Sequence, residues 1–363
     1  MSVQVSYKKQ SIFSIFLALT IILILEISAY IILEINDSCI QSLPKSNLYE
    51  NFDAENLKQI CNDYKSTIHY VLPFNHFPEN QQSKTVNINS DGFRGAEIND
   101  VAKSYKIFMT GGSTAYGIYA SSDEKTIPAE LEKLFLKSGL NVDVINAGVS
   151  GATVNDEFLL IQNKIIKFQP DLIISYTGWN DLVMDYSEKN NEYTDEMKIS
   201  NNLLFVQKYT KIDDLQAYLW RVIEKRTSSN ENEALFSTSL ENKHHNWKKQ
   251  LNQICNLGKE ENFKTIVALQ PLLGTSSKQL STWEVEISKK LKQEEVIEQY
   301  QDFSKNLIEL DESCEKTINL TKIFNNVEGT IFQDSGHVGD RGNNIIANKI
   351  FEQIFETVKE DIK

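Results

Sequence analysis

Apolar residues are distributed along this chain in two different ways. Residues 12–33 form one apolar run of 22 positions that contains a single charge, Glu26. Beyond residue 104, short apolar runs alternate with segments in which apolar side chains recur at helical spacing. The first pattern predicts a helix long enough to cross the hydrocarbon core of a bilayer, with Glu26 costly inside it. The second predicts strands that alternate with amphipathic helices.

The alternating part of the chain predicts a layered α/β domain. Strands are expected at 107–109, 142–145, 172–176 and 265–269, and helices at 127–137, 154–168 and 343–358. Thr126 and Pro128 suit the N-cap and the first turn of the first of these helices. Strands that alternate with helices favour a mostly parallel sheet covered on both faces. We therefore expect a three-layer α/β/α sandwich.

These patterns divide the chain into consecutive parts. Residues 1–11 are a short N-terminus, 12–33 a transmembrane anchor, 34–103 a polar lead-in, and 104–363 the main domain. Residues 185–262 interrupt the alternation of strands and helices. We predict that they form an insertion that covers the active site or shapes its entrance.

Charges around the apolar run predict its orientation. Lys8 and Lys9 precede it, and the next lysine after it is Lys45. The positive-inside rule then places the N-terminus in the cytoplasm and the domain outside. The alternative is a signal peptide cut after Ala29, although Ile27 is large for its position before such a cut. Both interpretations export the domain.

The composition of the chain argues against two classes of partner, nucleic acids and zinc. The chain has 50 acidic and 37 basic residues and a formal net charge of −13, without a basic stripe for a nucleic acid. None of its four cysteines belongs to a Cys-x-x-Cys pair, so zinc binding of the usual spacing is not expected. An oxidising compartment would allow Cys39–Cys61 and Cys255–Cys314 bridges, and four unpaired thiols are the alternative.

Two short motifs follow the first two predicted strands. Ser113 comes after Gly111-Gly112, and glycines allow a tight turn from strand to helix that raises a serine hydroxyl to the sheet edge. Gly151 ends the segment 146–151 and can offer its backbone N–H to a developing oxyanion. Taken alone, each motif is also ordinary turn composition.

Two further motifs supply an amide and an imidazole. Asn180 follows the third strand and can donate its side-chain N–H to the same oxyanion, with a helix N-cap as the alternative. Asp334 precedes His337 by three positions, where a carboxylate can fix the tautomer of an imidazole.

His244-His245 lack nearby carboxylates or thiolates and are more typical of a solvated helix face than of a metal site.

In the order and placement of these motifs, the chain resembles the SGNH hydrolases, also called GDSL-like esterases and lipases. The family is named for a Ser, Gly, Asn and His from four separate blocks, which correspond here to Ser113, Gly151, Asn180 and His337, with Asp334 as partner of the histidine. The resemblance covers residues 104–358 and implies a flavodoxin-like sheet. The first block reads Gly-Gly-Ser where many members have Gly-Asp-Ser, and we expect catalysis to be retained.

The resemblance implies a carboxylic ester hydrolase that uses a Ser-His-Asp triad. Ser113 would attack the ester, and the amides of Ser113 and Gly151 with the Asn180 side chain would form the oxyanion hole. No metal or organic cofactor is expected, and the partners are the membrane and an ester substrate, either a glycan O-acyl group, a lipid or a small ester. We expect a membrane-anchored extracytoplasmic esterase for O-acetyl or other short acyl groups. The alternatives are a lipase or lysophospholipase, an acyltransferase, and a non-catalytic surface binding protein.

Overall fold

A computed structural model of the chain describes residues 7–70, 74–98, 104–183, 215, 219, 240–291, 293–310 and 313–363. The chain divides into two compact units. The first contains the N-terminal helix, and the second contains the strands that the structure describes.

Helix α1 spans Tyr7–Ile35 without interruption, so it extends beyond the predicted 12–33 at both ends. At 1.5 Å per residue it is about 44 Å long, more than the hydrocarbon thickness of a bilayer. Its apolar side chains are almost all exposed. Within the described residues, α1 is the one helix with the length and composition of a membrane span, which a signal sequence also has.

The other elements follow in chain order. The helices are α2 (Ser38–Ser42), α3 (Ala54–Ser66), α4 (Ser113–Tyr116), α5 (Ile127–Lys137), α6 (Val154–Asn163), α7 (Trp179–Val183), α8 (Leu240–Glu261), α9 (Thr282–Lys290), α10 (Gln293–Ile308) and α11 (Asp340–Ile362). The strands are β1 (Gln81–Gln82), β2 (Asn87–Ile88), β3 (Tyr105–Gly111), β4 (Val142–Gly148), β5 (Leu172–Thr177), β6 (Lys264–Leu269) and β7 (Lys316–Asn319).

Five strands form one parallel sheet in the order β4-β3-β5-β6-β7. Numbered along the chain, this is the 2-1-3-4-5 order of flavodoxin-like sheets, so the predicted fold class is confirmed. Gly111 pairs in register with Gly148 and with Tyr176. The carboxyl ends of β3, β4 and β5 therefore lie level at one edge, where the segments that follow them meet.

The side chains of each strand alternate between two apolar layers because the side-chain period of a strand is two. Ile107 and Met109 face the layer that holds α5, α9 and α11, and Phe108 faces the layer that holds α6, α8 and α10. All three side chains are fully buried. Thr126 caps α5 as predicted, since its hydroxyl accepts a hydrogen bond from the Ala129 amide.

Part of the predicted insertion is a layer of the domain. Trp247, Leu251 and Ile254 of α8 are completely buried in the core on one face of the sheet. Residues 240–261 therefore support the sheet, and the prediction of an insertion across all of 185–262 was wrong for this portion. Residues 184–239, apart from 215 and 219, lie outside the described residues.

The predicted lead-in also belongs largely to the domain. Phe77, Ile88 and Phe93 are buried in the same core layer as α6 and α8. The Arg94 amide donates to the Asn146 carbonyl at the end of β4. No boundary near residue 103 therefore separates these residues from the sheet.

One predicted disulfide is present. Cys255, near the end of α8, is bonded to Cys314, which precedes β7. None of the four cysteines, all of which lie in described residues, is free.

Candidate active site

Ser113 is the first residue of α4, directly after β3. The turn depends on glycine: Gly111 has a φ of +142°, and a Cβ there would lie 2.2 Å from the Tyr176 carbonyl oxygen. A Cβ on Gly148 would lie equally close, at 2.2 Å, to the Tyr116 amide. The two glycines thus allow α4 to pack directly on the sheet and leave Ser113 at its edge.

His337 contacts Ser113 and Asp334 through its two ring nitrogens. Its Nε2 lies 2.7 Å from Ser113 Oγ, and its Nδ1 lies 2.8 Å from Asp334 Oδ2. Asp334 Oδ1 also accepts hydrogen bonds from the amides of Gly336 at 3.0 Å and His337 at 2.9 Å. The carboxylate favours the tautomer with a proton on Nδ1, which leaves the Nε2 lone pair for the serine proton.

The charge state of Asp334 suits this role. Burial raises the pKa of the carboxyl, but the neighbouring His337, its ring hydrogen bond and the amides of His337 and Gly336 lower it by more. The net shift of the pKa is downward. Asp334 therefore stays ionised at neutral pH and can stabilise a protonated imidazole.

The predicted oxyanion donors lie around Ser113. Asn180 is within α7, and its Nδ2 donates to the Ala152 carbonyl at 2.8 Å, so the alternative N-cap role is not what its side chain performs. The same nitrogen lies 2.2 Å from the position that a Cβ on Gly112 would occupy. Asn180 therefore lies between the residue before Ser113 and the residue after Gly151. Among the described residues, the Ser113 and Gly151 amides donate to no other group.

Asp181, next to Asn180, connects two of the motifs. It is fully buried, accepts a hydrogen bond from the Val154 amide at 3.0 Å, and accepts another from the Thr177 hydroxyl at 2.9 Å. This fixes the start of α6, and with it the Gly151 loop, against the end of β5. The sequence motif contained Asp181 but gave no indication of this role.

Arg94 stabilises the elements around Ser113, a role that the sequence did not predict. Its buried guanidinium pairs with Asp123 at 2.8 Å and donates to the carbonyls of Tyr116 at 3.1 Å and Gly117 at 2.9 Å. These carbonyls lie at the end of α4, so Arg94 stabilises the short helix that begins with Ser113. Asn146 Nδ2 adds a third donor to the Tyr116 carbonyl at 3.1 Å. A lone arginine in a polar segment gave no signal for this contact.

Tyr119 packs against His337 in an unusual backbone conformation. The two rings are perpendicular, with centroids 5.7 Å apart, and Tyr119 has a φ of +68° although it is not glycine. Its carbonyl accepts a hydrogen bond from the Tyr49 hydroxyl, which also contacts Asp340 Oδ1 at 3.1 Å. Strain of this kind costs about 1–3 kcal/mol and persists only where the surroundings impose it. Tyr49 is one residue that imposes it here.

A second buried carboxylate lies among the strands below the site. Glu157 of α6 accepts hydrogen bonds from the hydroxyls of Thr110 and Ser175, each at 2.6 Å. Burial raises the pKa of Glu157 to about 7, although these hydrogen bonds act in the opposite direction. The side chain is not exposed to a substrate, so its charge affects the sheet rather than the reaction.

No cluster of potential metal ligands occurs within the described part of the chain. His244 and His245 lie on α8, and His244 Nδ1 is 3.0 Å from the Asn306 amide nitrogen. A hydroxyl that contacts an imidazole, which is itself paired with a carboxylate, is an arrangement capable of acyl transfer.

No family model and no curated protein matches this chain. Solved structures that resemble it include the acetyl xylan esterase AlAXEase, with 15% identity, coverage of 69% of this chain and 99% of that one, and a TM-score of 0.40. A putative lipolytic protein of the G-D-S-L family from Desulfitobacterium hafniense is 12% identical over 69% and 99%, with a TM-score of 0.41. A lipase/acylhydrolase from Enterococcus faecalis is 15% identical over 69% and 96%, with a TM-score of 0.42. The function proposed below rests on the geometry around Ser113.

Proposed function

We propose that this chain is a carboxylic ester hydrolase of the SGNH group, with Ser113 as nucleophile, His337 as general base and Asp334 as the residue that orients the base. One observation carries the proposal. Hydrogen bonds run without a break from Ser113 Oγ to His337 at 2.7 Å and from His337 to Asp334 at 2.8 Å. Such a relay removes the serine proton as the hydroxyl attacks a carbonyl carbon.

The steps follow from the positions of these groups. Ser113 Oγ bonds to the ester carbonyl carbon while its proton passes to His337 Nε2. The amides of Ser113 and Gly151 and the Asn180 side chain stabilise the negative oxygen of the tetrahedral intermediate. His337 then protonates the leaving alcohol, and a water activated by His337 releases the acyl group as a carboxylic acid.

The substrate class and location complete the proposal. The ester is an O-acetyl or other short acyl group on a glycan or small alcohol, and hydrolysis occurs on the outer side of a membrane with α1 as anchor. The apolar side chains of α1 and the lysines before it support this location. Protease protection of the N-terminus in sealed vesicles, with digestion of the domain from outside, would test the orientation.

A fluorophosphonate probe, together with hydrolysis of 4-nitrophenyl acetate, tests the chemistry. Wild-type protein should be labelled at Ser113, and Ser113→Ala should lose labelling and reduce kcat/KM by at least about 10³-fold. Ser90→Ala, which changes an exposed serine, is the matched control and should behave as wild type. Full activity of Ser113→Ala would contradict the proposal, and silence of a folded wild-type protein would favour a binding protein.

A further inference from the structure

Gln270 is the first residue after β6, and its side chain is buried beside the elements that carry Ser113 and Asn180. We propose that Gln270 is a positioning residue, which holds α4 and α7 in the relative placement that the reaction needs. This inference rests on the ester hydrolysis proposed at Ser113, and it adds a residue at the end of β6 to that site.

Hydrogen bonds of the main chain fix Gln270 at the edge of the sheet. Its amide donates to the Thr177 carbonyl at 3.0 Å, where β6 runs beside β5. Its carbonyl accepts a hydrogen bond at 2.9 Å from the hydroxyl of Tyr300, which is fully buried in α10. The side chain of Gln270 therefore extends from a well-supported element, as precise positioning requires.

The side-chain oxygen of Gln270 joins the two helices. Its Oε1 accepts hydrogen bonds from the Trp179 amide at 3.3 Å and from the Thr114 hydroxyl at 3.5 Å. Trp179 begins α7 and precedes Asn180, whereas Thr114 follows Ser113 in α4. The first amides of a helix have no acceptor within that helix, so the Trp179 amide needs one from another part of the chain. Such bonds are often long in a free enzyme and shorten when substrate binds.

The side-chain nitrogen of Gln270 lies against the loop of the base. Its Nε2 is 3.4 Å from the position that a Cβ on Gly336 would occupy, and Gly336 directly precedes His337. Among the described residues, this nitrogen has no hydrogen-bond partner. The opposite amide orientation would set the Nε2 donor against the Trp179 donor, so the oxygen belongs at Trp179. A buried donor without an acceptor destabilises a fold, so what Gln270 contributes comes from its oxygen.

These contacts predict an effect on kcat rather than on substrate binding. The negative oxygen of the tetrahedral intermediate exists only during the reaction, and its donors must lie about 2.7–3.1 Å from it. A shift of α7 would displace Asn180, and a shift of α4 would displace Ser113. Because Oε1 contacts the chain neighbour of each, loss of this acceptor releases both displacements together.

The experiment replaces the acceptor without a large change of volume in the full-length protein. Gln270→Met keeps an unbranched side chain but has no oxygen. The kcat for 4-nitrophenyl acetate, expressed per Ser113 that a fluorophosphonate probe labels to completion, should fall about tenfold, with KM within about twofold of wild type. Counting labelled sites removes the contribution of unfolded protein, so a loss of stability alone would leave this kcat unchanged.

Two further variants separate the oxygen from the rest of the side chain. Gln270→Glu keeps an acceptor oxygen in either protonation state and should recover kcat to within about threefold of wild type. Gln250→Met is the matched control, because Gln250 lies on α8 and its Oε1 accepts no hydrogen bond among the described residues. This control should have the kcat of wild type.

Three outcomes would overturn the positioning role. They are a kcat of Gln270→Met within about twofold of wild type, a rise in KM at constant kcat, and equal losses in Gln270→Met and Gln270→Glu. If Gln270→Met does not fold, as judged by thermal melting, Thr114→Val decides, since it removes one donor to Oε1. Its kcat should fall about two- to threefold, and an unchanged kcat would overturn the role.

Failure of the proposed hydrolysis gives a different result. Wild-type protein that is neither labelled at Ser113 nor active on the ester contradicts the proposed chemistry. The contact of Gln270 with α7 is then tested by hydrogen exchange of tryptophan amides, since the chain has four tryptophans and selective ¹⁵N labelling gives few signals. The Trp179 amide should exchange at least about tenfold faster in Gln270→Met and at the wild-type rate in Gln250→Met. Equal exchange of Trp179 in Gln270→Met and wild type would overturn the contact.

Discussion

Replacement of Gly112 by aspartate would create the Gly-Asp-Ser block found in many SGNH hydrolases, and we expect it to impair this protein. Gly112 has a φ of −83°, which any residue adopts, so backbone strain does not oppose the change. The lack of space does oppose it, because a Cβ at this position would lie 2.2 Å from Asn180 Nδ2 and 3.3 Å from the Ala152 carbonyl oxygen. The first atom of any side chain therefore collides with the amide of Asn180.

The size of the effect follows from that collision. Moving Asn180 Nδ2 back to an ordinary contact distance of 3.4 Å requires a shift of about 1.2 Å. Oxyanion donors act only when they lie about 2.7–3.1 Å from the negative oxygen, so this shift would remove Asn180 from the proposed oxyanion hole. We expect kcat to fall by about 10²–10³, equivalent to about 3–4 kcal/mol of transition-state stabilisation, with little change in KM.

The assay is a double-mutant cycle on kcat with Gly112→Ala, Gly112→Asp and Asn180→Ala. If Gly112 acts through Asn180, the Gly112→Ala change should cost little more once Asn180 is alanine. Gly336→Ala is the control, because a Cβ there meets its nearest neighbours at 3.4 Å and should be tolerated. Wild-type kcat in Gly112→Asp, or losses that add fully with Asn180→Ala, would refute this reasoning.

Three other predictions concern stability and strain. Folding raises the pKa of Glu157 from 4.5 to about 7, so the folded state binds a proton more tightly, and the free energy of unfolding should fall by about 3 kcal/mol as the pH rises between these values. Glu157→Gln should remove this pH dependence in denaturation curves at pH 5 and 8, and an unchanged dependence would contradict the prediction. Tyr119→Gly and Tyr119→Ala should lose similar activity, but the glycine variant should melt about 2–4 °C higher, because only glycine adopts the positive φ without strain. Equal melting temperatures of the two variants would exclude strain at this position. Replacement of both Cys255 and Cys314 by serine opens a loop that spans 59 positions and should lower the free energy of unfolding by about 4 kcal/mol. A loss below about 1 kcal/mol in equilibrium denaturation would argue against a stabilising bridge.

The fold and the main site contacts could be predicted because they depend on local patterns. Each central strand is a short apolar run that ends in a polar motif, and a parallel sheet brings such ends to one edge. Ser113 and Asn180 follow neighbouring strands, so their proximity follows from the topology alone. The short distance between Asp334 and His337 follows from their spacing within one loop.

Elements with weak local patterns could not be predicted in this way. Strand β7 has the sequence Lys-Thr-Ile-Asn, and only Ile318 of its four residues is buried, because the strand lies at the sheet edge. Helix α8 has many charged residues, and its buried stripe of Trp247, Leu251 and Ile254 occupies only one side. Its composition resembled that of an exposed insertion, although the helical spacing of the three residues indicated a core helix.

Contacts between distant parts of the chain left no trace in local spacing. The Tyr49 hydroxyl reaches a carbonyl 70 residues later and a carboxylate 291 residues later. Arg94 reaches Asp123 and the end of α4 across a gap that no motif marks. Such roles become visible only when the chain is folded, since one side chain satisfies groups from several separate segments.

These distant contacts extend the folded unit beyond the predicted main domain. A domain boundary lies where few contacts cross, yet residues 42–98 supply the arginine that contacts the end of α4 and the tyrosine that holds Tyr119. Alternation of strands and helices begins only at β3, so it locates the sheet and not the edge of the folded unit. The described residues of 42–98 therefore belong to the folded unit that supports the proposed active site.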